Sequence, residues 1–346
     1  TPLIHNRVFI RNTMPELPEV ETTKTSLTPL LGQQVTNVKV FQPKLRWSMP
    51  DDLTQLVDYT LDSVERRAKY LILNFIPVIS ANTNASIQPE QLAPRQLLIH
   101  LGMSGSLQQH SYGTDKRKHD HLVVTFSGTD DSQTQLHYYD PRRFGSVLWF
   151  DDYGPKLLDH LGPEPLSAEF TADYLYHLIQ RSNNPNPTPN DSNVNQSSNN
   201  QSSNNQSNPK KATANKTPNK QPIKRAIKSV IMEQQIVVGV GNIYATESLY
   251  LSGIHPATPA HHVSYEQIVI LVDHIKAILK KAITLGGSTL RDFTVASGQT
   301  GYFQQTLNVY GRQGETCPHC DTLLENIKLN GRASVFCPAC QPINSK

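Results

Sequence analysis

Ser182-Asn183-Asn184-Pro185-Asn186-Pro187-Thr188-Pro189-Asn190 opens a run that continues to Pro222. It is built almost wholly from Asn, Ser, Gln, Pro, Thr and Lys, with Val194, Ala212 and Ala214 as its only apolar members. Such a segment cannot bury enough surface to offset its ordering entropy, so the sequence predicts a disordered linker over 182–222. Reading outward, the two sides differ in period. Residues 35–150 carry short β-rich runs: Val35–Phe41, Tyr70–Ile76, Gln96–Leu101, His121–Phe126, Gln135–Tyr139 and Ser146–Phe150. Turn-rich stretches separate them, as in an antiparallel sandwich or barrel. A helix from Pro18 to about Leu31 precedes them, with Val20, Leu27 and Leu31 on one face. Beyond the linker the pattern turns helical. Ser264 and Gln267 have the form of a capping box, Ile268, Leu271, Val272, Ile275, Ile278, Leu279 and Ala282 make one stripe, and Gly286 is the stop. The fold class expected is α+β and multidomain.

A chain of 346 residues has room for two domains. Its 37% hydrophobic content lies below the globular average, as a large non-core segment requires. A net charge of +3, from 32 basic and 29 acidic residues, confines any nucleic-acid site to a local basic patch. No apolar run approaches the ~18 residues of a membrane span. Residues 1–13 lack the apolar core and cleavage site of a signal peptide. The expected location is intracellular.

All four cysteines lie in Cys317-Pro318-His319-Cys320 and Cys337-Pro338-Ala339-Cys340, with 16 residues between the pairs. This spacing predicts one tetrahedral zinc held by four thiolates across a β-hairpin. A closed four-sulfur sphere leaves no open position, so the metal is structural and His319 a bystander. Arg332 falls near the hairpin turn, where a guanidinium can fork onto a phosphate. From spacing alone, an exposed surface arginine is the simpler reading.

Near the other end stands Met14-Pro15-Glu16-Leu17-Pro18-Glu19-Val20-Glu21-Thr22. Within a chain, proline has a tertiary amide nitrogen and no nucleophilic lone pair. As a free terminus it is a secondary amine that can form an iminium with a sugar carbon. An α-amino group titrates near ~8 against ~10.4 for lysine, so more of it is neutral at pH 7. Pro15 and Pro18 also suit the opening of a helix.

This run resembles the start of the formamidopyrimidine-DNA glycosylase family, whose initiator methionine is removed and whose proline amine attacks DNA. Five further blocks resemble the family in its own order. They are Arg66–Leu71 with Lys69, His100–Leu107, Asp140–Gly145, Val238–Ala245 and the zinc ribbon. The resemblance spans nearly the whole chain outside the leader, the Pro77–Arg95 stretch and the linker. It implies a 1–13 leader absent from the mature protein, a catalytic β-sandwich domain over 14–150 and connecting helices over 151–181. After the linker it implies a helix–two-turn–helix DNA-binding domain over 223–305 and a zinc ribbon over 306–346.

The activity implied is base-excision repair: removal of 8-oxoguanine and formamidopyrimidines from duplex DNA, then β- and δ-elimination. Pro15 is the implied nucleophile and Glu16 the proton donor to the sugar. Lys69 and Arg332 are the implied donors for the two eliminations. Flipping a base leaves a hole, and Met103 and Phe144 are apolar wedges of the right type. Met103 alone would read as a core methionine, but between Gly102 and Gly105 it is expected to be exposed. Arg142 can hydrogen-bond the orphaned base. His119, Lys224, Lys228 and Asn242 are the implied phosphate contacts. The basic run from Lys210 to Lys228, with no acidic residue between Asp191 and Glu233, agrees with a DNA anchor. Ala296–Phe303 resembles the family's mobile loop and favours this family over its endonuclease VIII relatives. The expected state is a monomer in the bacterial cytoplasm, with double-stranded DNA as partner and no membrane. The rivals are an endonuclease VIII-like enzyme for oxidised pyrimidines and a non-catalytic damaged-DNA-binding relative.

Overall fold

The structure, a computed structural model, describes residues 14–78, 93–181, 221–287 and 307–343. The leader, most of the linker, and the Ala296–Phe303 loop lie outside the described residues.

Helix α1 spans Leu17–Ser26. Pro18 suits its first turn, and Glu19 reaches back to accept the Glu16 N–H at 2.9 Å, closing the orphan donors of that end. The helix ends earlier than expected, and a 3-10 turn over Thr28–Leu30 follows. That turn changes the stripe: Val20 and Leu27 are buried as expected, but Leu30 fills the core and Leu31 faces outward.

Eight antiparallel strands follow: β1 (Gln34–Val40), β2 (Tyr59–Arg67), β3 (Tyr70–Pro77), β4 (Arg95–His100), β5 (Ser106–Ser111), β6 (Asp120–Ser127), β7 (Gln133–Tyr139) and β8 (Ser146–Trp149). Their order is β5-β7-β6-β1-β2-β3-β4-β8. β1 and β2 share only the pair Gln34↔Thr60. The sheet is thus two four-stranded layers hinged at one point, the two halves of a sandwich. Leu61, Leu71, Leu73 and Phe75 from one layer share a core with Val35, Val124, Phe126 and Tyr138 from the other. Each such side chain contributes roughly 1.5–3 kcal/mol of burial.

Helices α2 (Phe150–Leu158) and α3 (Ala172–Gln180) lead out of the sheet. Beyond residue 220 come α4 (Ile227–Ile231), α5 (Asn242–Leu251) and α6 (Tyr265–Thr284). The capping box of α6 forms as expected, and all seven stripe residues are buried. α1 packs on α6, so the first helix belongs to both halves of the molecule. The Ile223 N–H donates to the Ile179 carbonyl at 2.9 Å, joining the chain on either side of the linker. Strands β9 (Glu325–Leu329) and β10 (Arg332–Phe336) form the final hairpin. Among the described residues no helix is long and apolar enough to cross a membrane.

Candidate active site and nucleic-acid interface

Glu16 is the centre of the site. It lies just before α1, yet its carboxylate sits at the N-terminus of α5, 225 residues further along. The N–H groups of Gly241 and Ile243 each donate to it at 2.9 Å. It therefore does for α5 what a capping side chain does locally, at the positive end of the helix dipole. The glycines of Val238-Gly239-Val240-Gly241 allow this approach. A Cβ on Gly241 would stand 2.1 Å from the Glu16 carboxyl carbon, and one on Gly239 would meet Leu17 at 2.5 Å. Burial raises the Glu16 pKa to about 7, with the opposing charge of Lys69 pulling it down and Glu19 adding to the rise. Glu19 also accepts the Tyr244 hydroxyl at 2.8 Å, a second tie between α1 and α5.

A cavity of about 230 Å³ opens beside this carboxylate, lined by Met14, Lys69, Tyr70, His100, Gly241 and Arg332 among others. Pro15 is buried, and Met14 occupies the cavity wall next to it. Lys69 is buried at the β2–β3 turn, and burial lowers its pKa while Glu16 opposes that shift. Burial, with the charges of Lys69 and Arg46, depresses His100 to about 4, so its ring is neutral at pH 7. Its Nδ1 accepts the Gly102 N–H at 3.0 Å. Arg332 begins β10, exposed beside the Asn330-Gly331 turn.

The loops between β4 and β5 and between β7 and β8 form one unit. Asp140 is fully buried and accepts from the Ser104 hydroxyl at 2.6 Å and the Gly145 N–H at 2.9 Å. Gly102, at φ +64°, lies so close that a Cβ would meet the Phe144 carbonyl carbon at 2.4 Å. Phe144 is 45% exposed, and the Arg142 guanidinium stacks over its ring at 5.0 Å. Met103, expected to be exposed, is half-buried. His119 is half-buried near the same face, its ring edge-on to Tyr139.

Among the expected phosphate donors, Lys224 is exposed. Asn242 opens α5, with its Oδ1 buried and without a partner among the described residues. Lys228 corrects the expectation. It is 1% exposed and donates to the Ala333 carbonyl at 3.0 Å and the Ser334 hydroxyl at 2.7 Å. Its ammonium is a tie between α4 and the final hairpin, and burial brings its pKa down to about 7. Nothing in the basic run distinguishes it from Lys224, because burial is a tertiary property.

The four cysteine sulfurs lie within 4.8 Å of one another. Tetrahedral zinc with bonds of about 2.3 Å sets sulfurs near 3.8 Å apart, and Cys317 and Cys340 stand at 3.9 Å. The donor set fits one structural zinc. The Tyr250 hydroxyl contacts Cys317 Sγ at 3.2 Å, an outer-sphere hydrogen bond of the kind that orients ligands. His319 offers only its backbone N–H, to Cys317 Sγ.

Three carboxylates escaped the sequence reading. Glu164 accepts from the Ala68 N–H at 2.7 Å and from Arg66 and Arg67, fixing the turn that carries Lys69. Glu247, fully buried on α5, accepts from the N–H groups of Asn308, Val309 and Tyr310. Asp140 is the third: its block was singled out, but not its buried carboxylate as the tie between the two loops. A charge within the otherwise buried helix Asn242–Leu251 was a usable signal for Glu247. Glu164 has none, since its partners are distant in sequence.

Comparison with known proteins agrees with this architecture. The family model described as formamidopyrimidine-DNA glycosylase N-terminal domain matches residues 14–147. The one described as formamidopyrimidine-DNA glycosylase H2TH domain matches 202–294, and a zinc finger found in FPG and IleRS matches 314–343. The chain is 72% identical to the formamidopyrimidine-DNA glycosylase of Psychrobacter arcticus over 96% of its length and all of the relative's. Its identity to that of Acinetobacter baylyi is 48%, over the same shares. Among solved structures, the wild-type Lactococcus lactis protein bound to DNA containing an oxidised pyrimidine superposes with a TM-score of 0.71 at 30% identity, covering 95% of this chain and 100% of that one. A complex of a mutant of the same protein with DNA containing Fapy-dG gives 0.71 at 29% identity, with the same coverage. These likenesses run the length of the chain and set it among the bifunctional enzymes of base-excision repair, DNA glycosylases that are also AP lyases. Within that class the chain belongs to the formamidopyrimidine-DNA glycosylase family.

Proposed function

We propose that the protein excises oxidised purines, 8-oxoguanine and the formamidopyrimidines, from duplex DNA with the Pro15 amine as nucleophile, in the bacterial cytoplasm. The amine attacks C1′, the glycosidic bond breaks, and the base leaves with its electron pair. The resulting iminium acidifies the neighbouring carbon, so β- and then δ-elimination release the strand on both sides. Glu16 donates a proton to the sugar ring oxygen and serves as the shuttle afterward. Lys69 and Arg332 hold phosphates and supply protons to the eliminations. Arg142, Phe144 and Met103 fill the space left by the flipped base, and His119, Lys224 and Asn242 hold the backbone. In this reading residues 14–150 carry the chemistry, 223–305 and 306–346 grip the duplex, and 182–222 is a tether.

One observation carries the reading. The carboxyl group adjacent to Pro15 is buried, fixed on the amides of α5 and brought to a pKa of about 7, where a single group can both give and take a proton. The relatives' names and the Fapy-dG complex of the Lactococcus protein support the substrate class.

Because Met14 lines the cavity and acylates the Pro15 nitrogen, the active form begins at Pro15. Borohydride added during reaction with an 8-oxoguanine duplex should trap a covalent complex with protein expressed from Met14. Equal trapping by protein that keeps residues 1–13 would sink the idea.

A further inference from the structure

Alternate residues of a strand face opposite ways. On β7, Leu136 and Tyr138 belong to the core, so Gln135 and His137 lie on the other face. The register sets His110 of β5 directly across from Gln135, on that same face. The rings of His110 and His137 are 4.5 Å apart between centroids, tilted by 57°. Three atoms here are buried with no hydrogen-bond partner among the described residues: His110 Nε2, His137 Nε2 and Gln135 Oε1. Buried polar atoms are nearly always satisfied. Three orphans at adjacent positions of two paired strands mark a place that something of matching chemistry fills.

Their surroundings specify that chemistry. His137, 1% exposed, has its Nδ1 3.0 Å from Asp120 Oδ2. The Asp120 carboxylate engages Nδ1 of His137, which leaves Nε2 as the ring's remaining nitrogen. Each of the two imidazole nitrogens and the amide oxygen can offer a lone pair to a single cation. A cation satisfies all three. A histidine whose second nitrogen is held by a carboxylate is the arrangement found at metal ligands. Imidazole donors suit zinc, copper and nickel, whereas calcium and magnesium take oxygen shells.

We propose that His110, His137 and Gln135 form a second metal site, for a zinc-class divalent ion, distinct from the four-cysteine ribbon and oriented by Asp120. The ion would brace strand ends that lead into the β7–β8 loop, because β6 begins just after His119 and the Asp140 N–H donates to the His119 carbonyl at 3.0 Å.

Full-length protein with its ribbon loaded is dialysed against micromolar free zinc and the bound metal counted. Wild type should hold two equivalents per chain. His110→Ala and His137→Gln should each hold one, with the ribbon's zinc retained. Added zinc should raise the Tm of wild type and of neither variant. Should His137→Gln fail to fold, His110→Ala, on the edge strand, and Gln135→Leu carry the same test. A single equivalent in wild type, two equivalents in His110→Ala, or an equal rise in Tm for wild type and His110→Ala overturns the proposal. The orphaned atoms are then met by water or by each other.

Discussion

Two hairpins bring a cation to the cavity beside Glu16, one from each half of the molecule. The β9–β10 hairpin turns at Asn330-Gly331, with φ of 48° and 76°. These are the residues that tolerate left-handed backbone in a two-residue turn. Zinc closes its base, and Lys228 ties its far strand to α4. Nearly everything that shapes it is local. The β2–β3 hairpin turns at Ala68-Lys69, with Ala68 at φ 55°, a conformation alanine adopts at a cost. Here the turn is imposed from outside, by the Glu164 carboxylate on the Ala68 N–H and on Arg66 and Arg67. One cation is placed chiefly by its own turn and a metal, with the Lys228 tie added from α4. The other is placed by a carboxylate nearly a hundred residues away.

The comparison breaks most readily at the metal. Cys337→Ser should lose zinc and, with it, the fold of the β9–β10 hairpin, because metal binding supplies the folding free energy of such units. Duplex affinity should fall by about a hundredfold or more, while the β sandwich keeps its circular dichroism. Unchanged binding in zinc-free protein would show that the hairpin is not an anchor. Next comes the carboxylate clamp. Glu164→Gln should leave metal content and duplex binding nearly intact but slow excision by roughly ten- to a hundredfold, since small misplacements at a reacting centre cost that much. Single-turnover kinetics at saturating enzyme separate the two hairpins on this point.

A smaller effect belongs to the group between them. With a pKa near 7, Glu16 keeps its proton below that pH and loses it above. Excision should decline above pH 7 by up to about tenfold per unit, if proton donation limits the rate. The stability linkage has the same direction. The folded state holds a proton that the unfolded chain releases near 4.5, so this contribution is complete at low pH and is lost as pH rises through about 7. A rate that climbs steadily to pH 9 would remove Glu16 from the donor role. The smallest effect is Ala68→Gly, which relieves the left-handed alanine. Chemical denaturation should show a change within about 1 kcal/mol, on the stabilising side, with excision unaltered.

The same contrast explains what the sequence disclosed. Helix α6 was legible because its capping box and stripe are periodic and local, and the zinc site because its ligands come in two close pairs. β2 was not, since its buried residues are interrupted by Asp62, which is exposed, and by Glu65, Arg66 and Arg67, which find partners only in the folded state. β5 was missed because an edge strand reading Ser-Leu-Gln-Gln-His-Ser has little apolar alternation to detect. Within the site, residue types and blocks pointed to Glu16, Lys69 and the cysteines. The opposite fates of Lys224 and Lys228, and the turn from Leu31 to Leu30, depend on which face meets another element.

The hydrogen bond between Ile179 and Ile223 has a consequence for how the enzyme could be made. The chain leaves one half and returns to the other at nearly the same point. Orientation is carried by the Glu16 cap on α5, by Tyr244 on Glu19 and by α1 against α6. A two-piece enzyme, cut within 182–220, keeps the proline terminus on its first fragment and every one of those contacts across a non-covalent seam. Repair activity would then report directly on the association of two polypeptides.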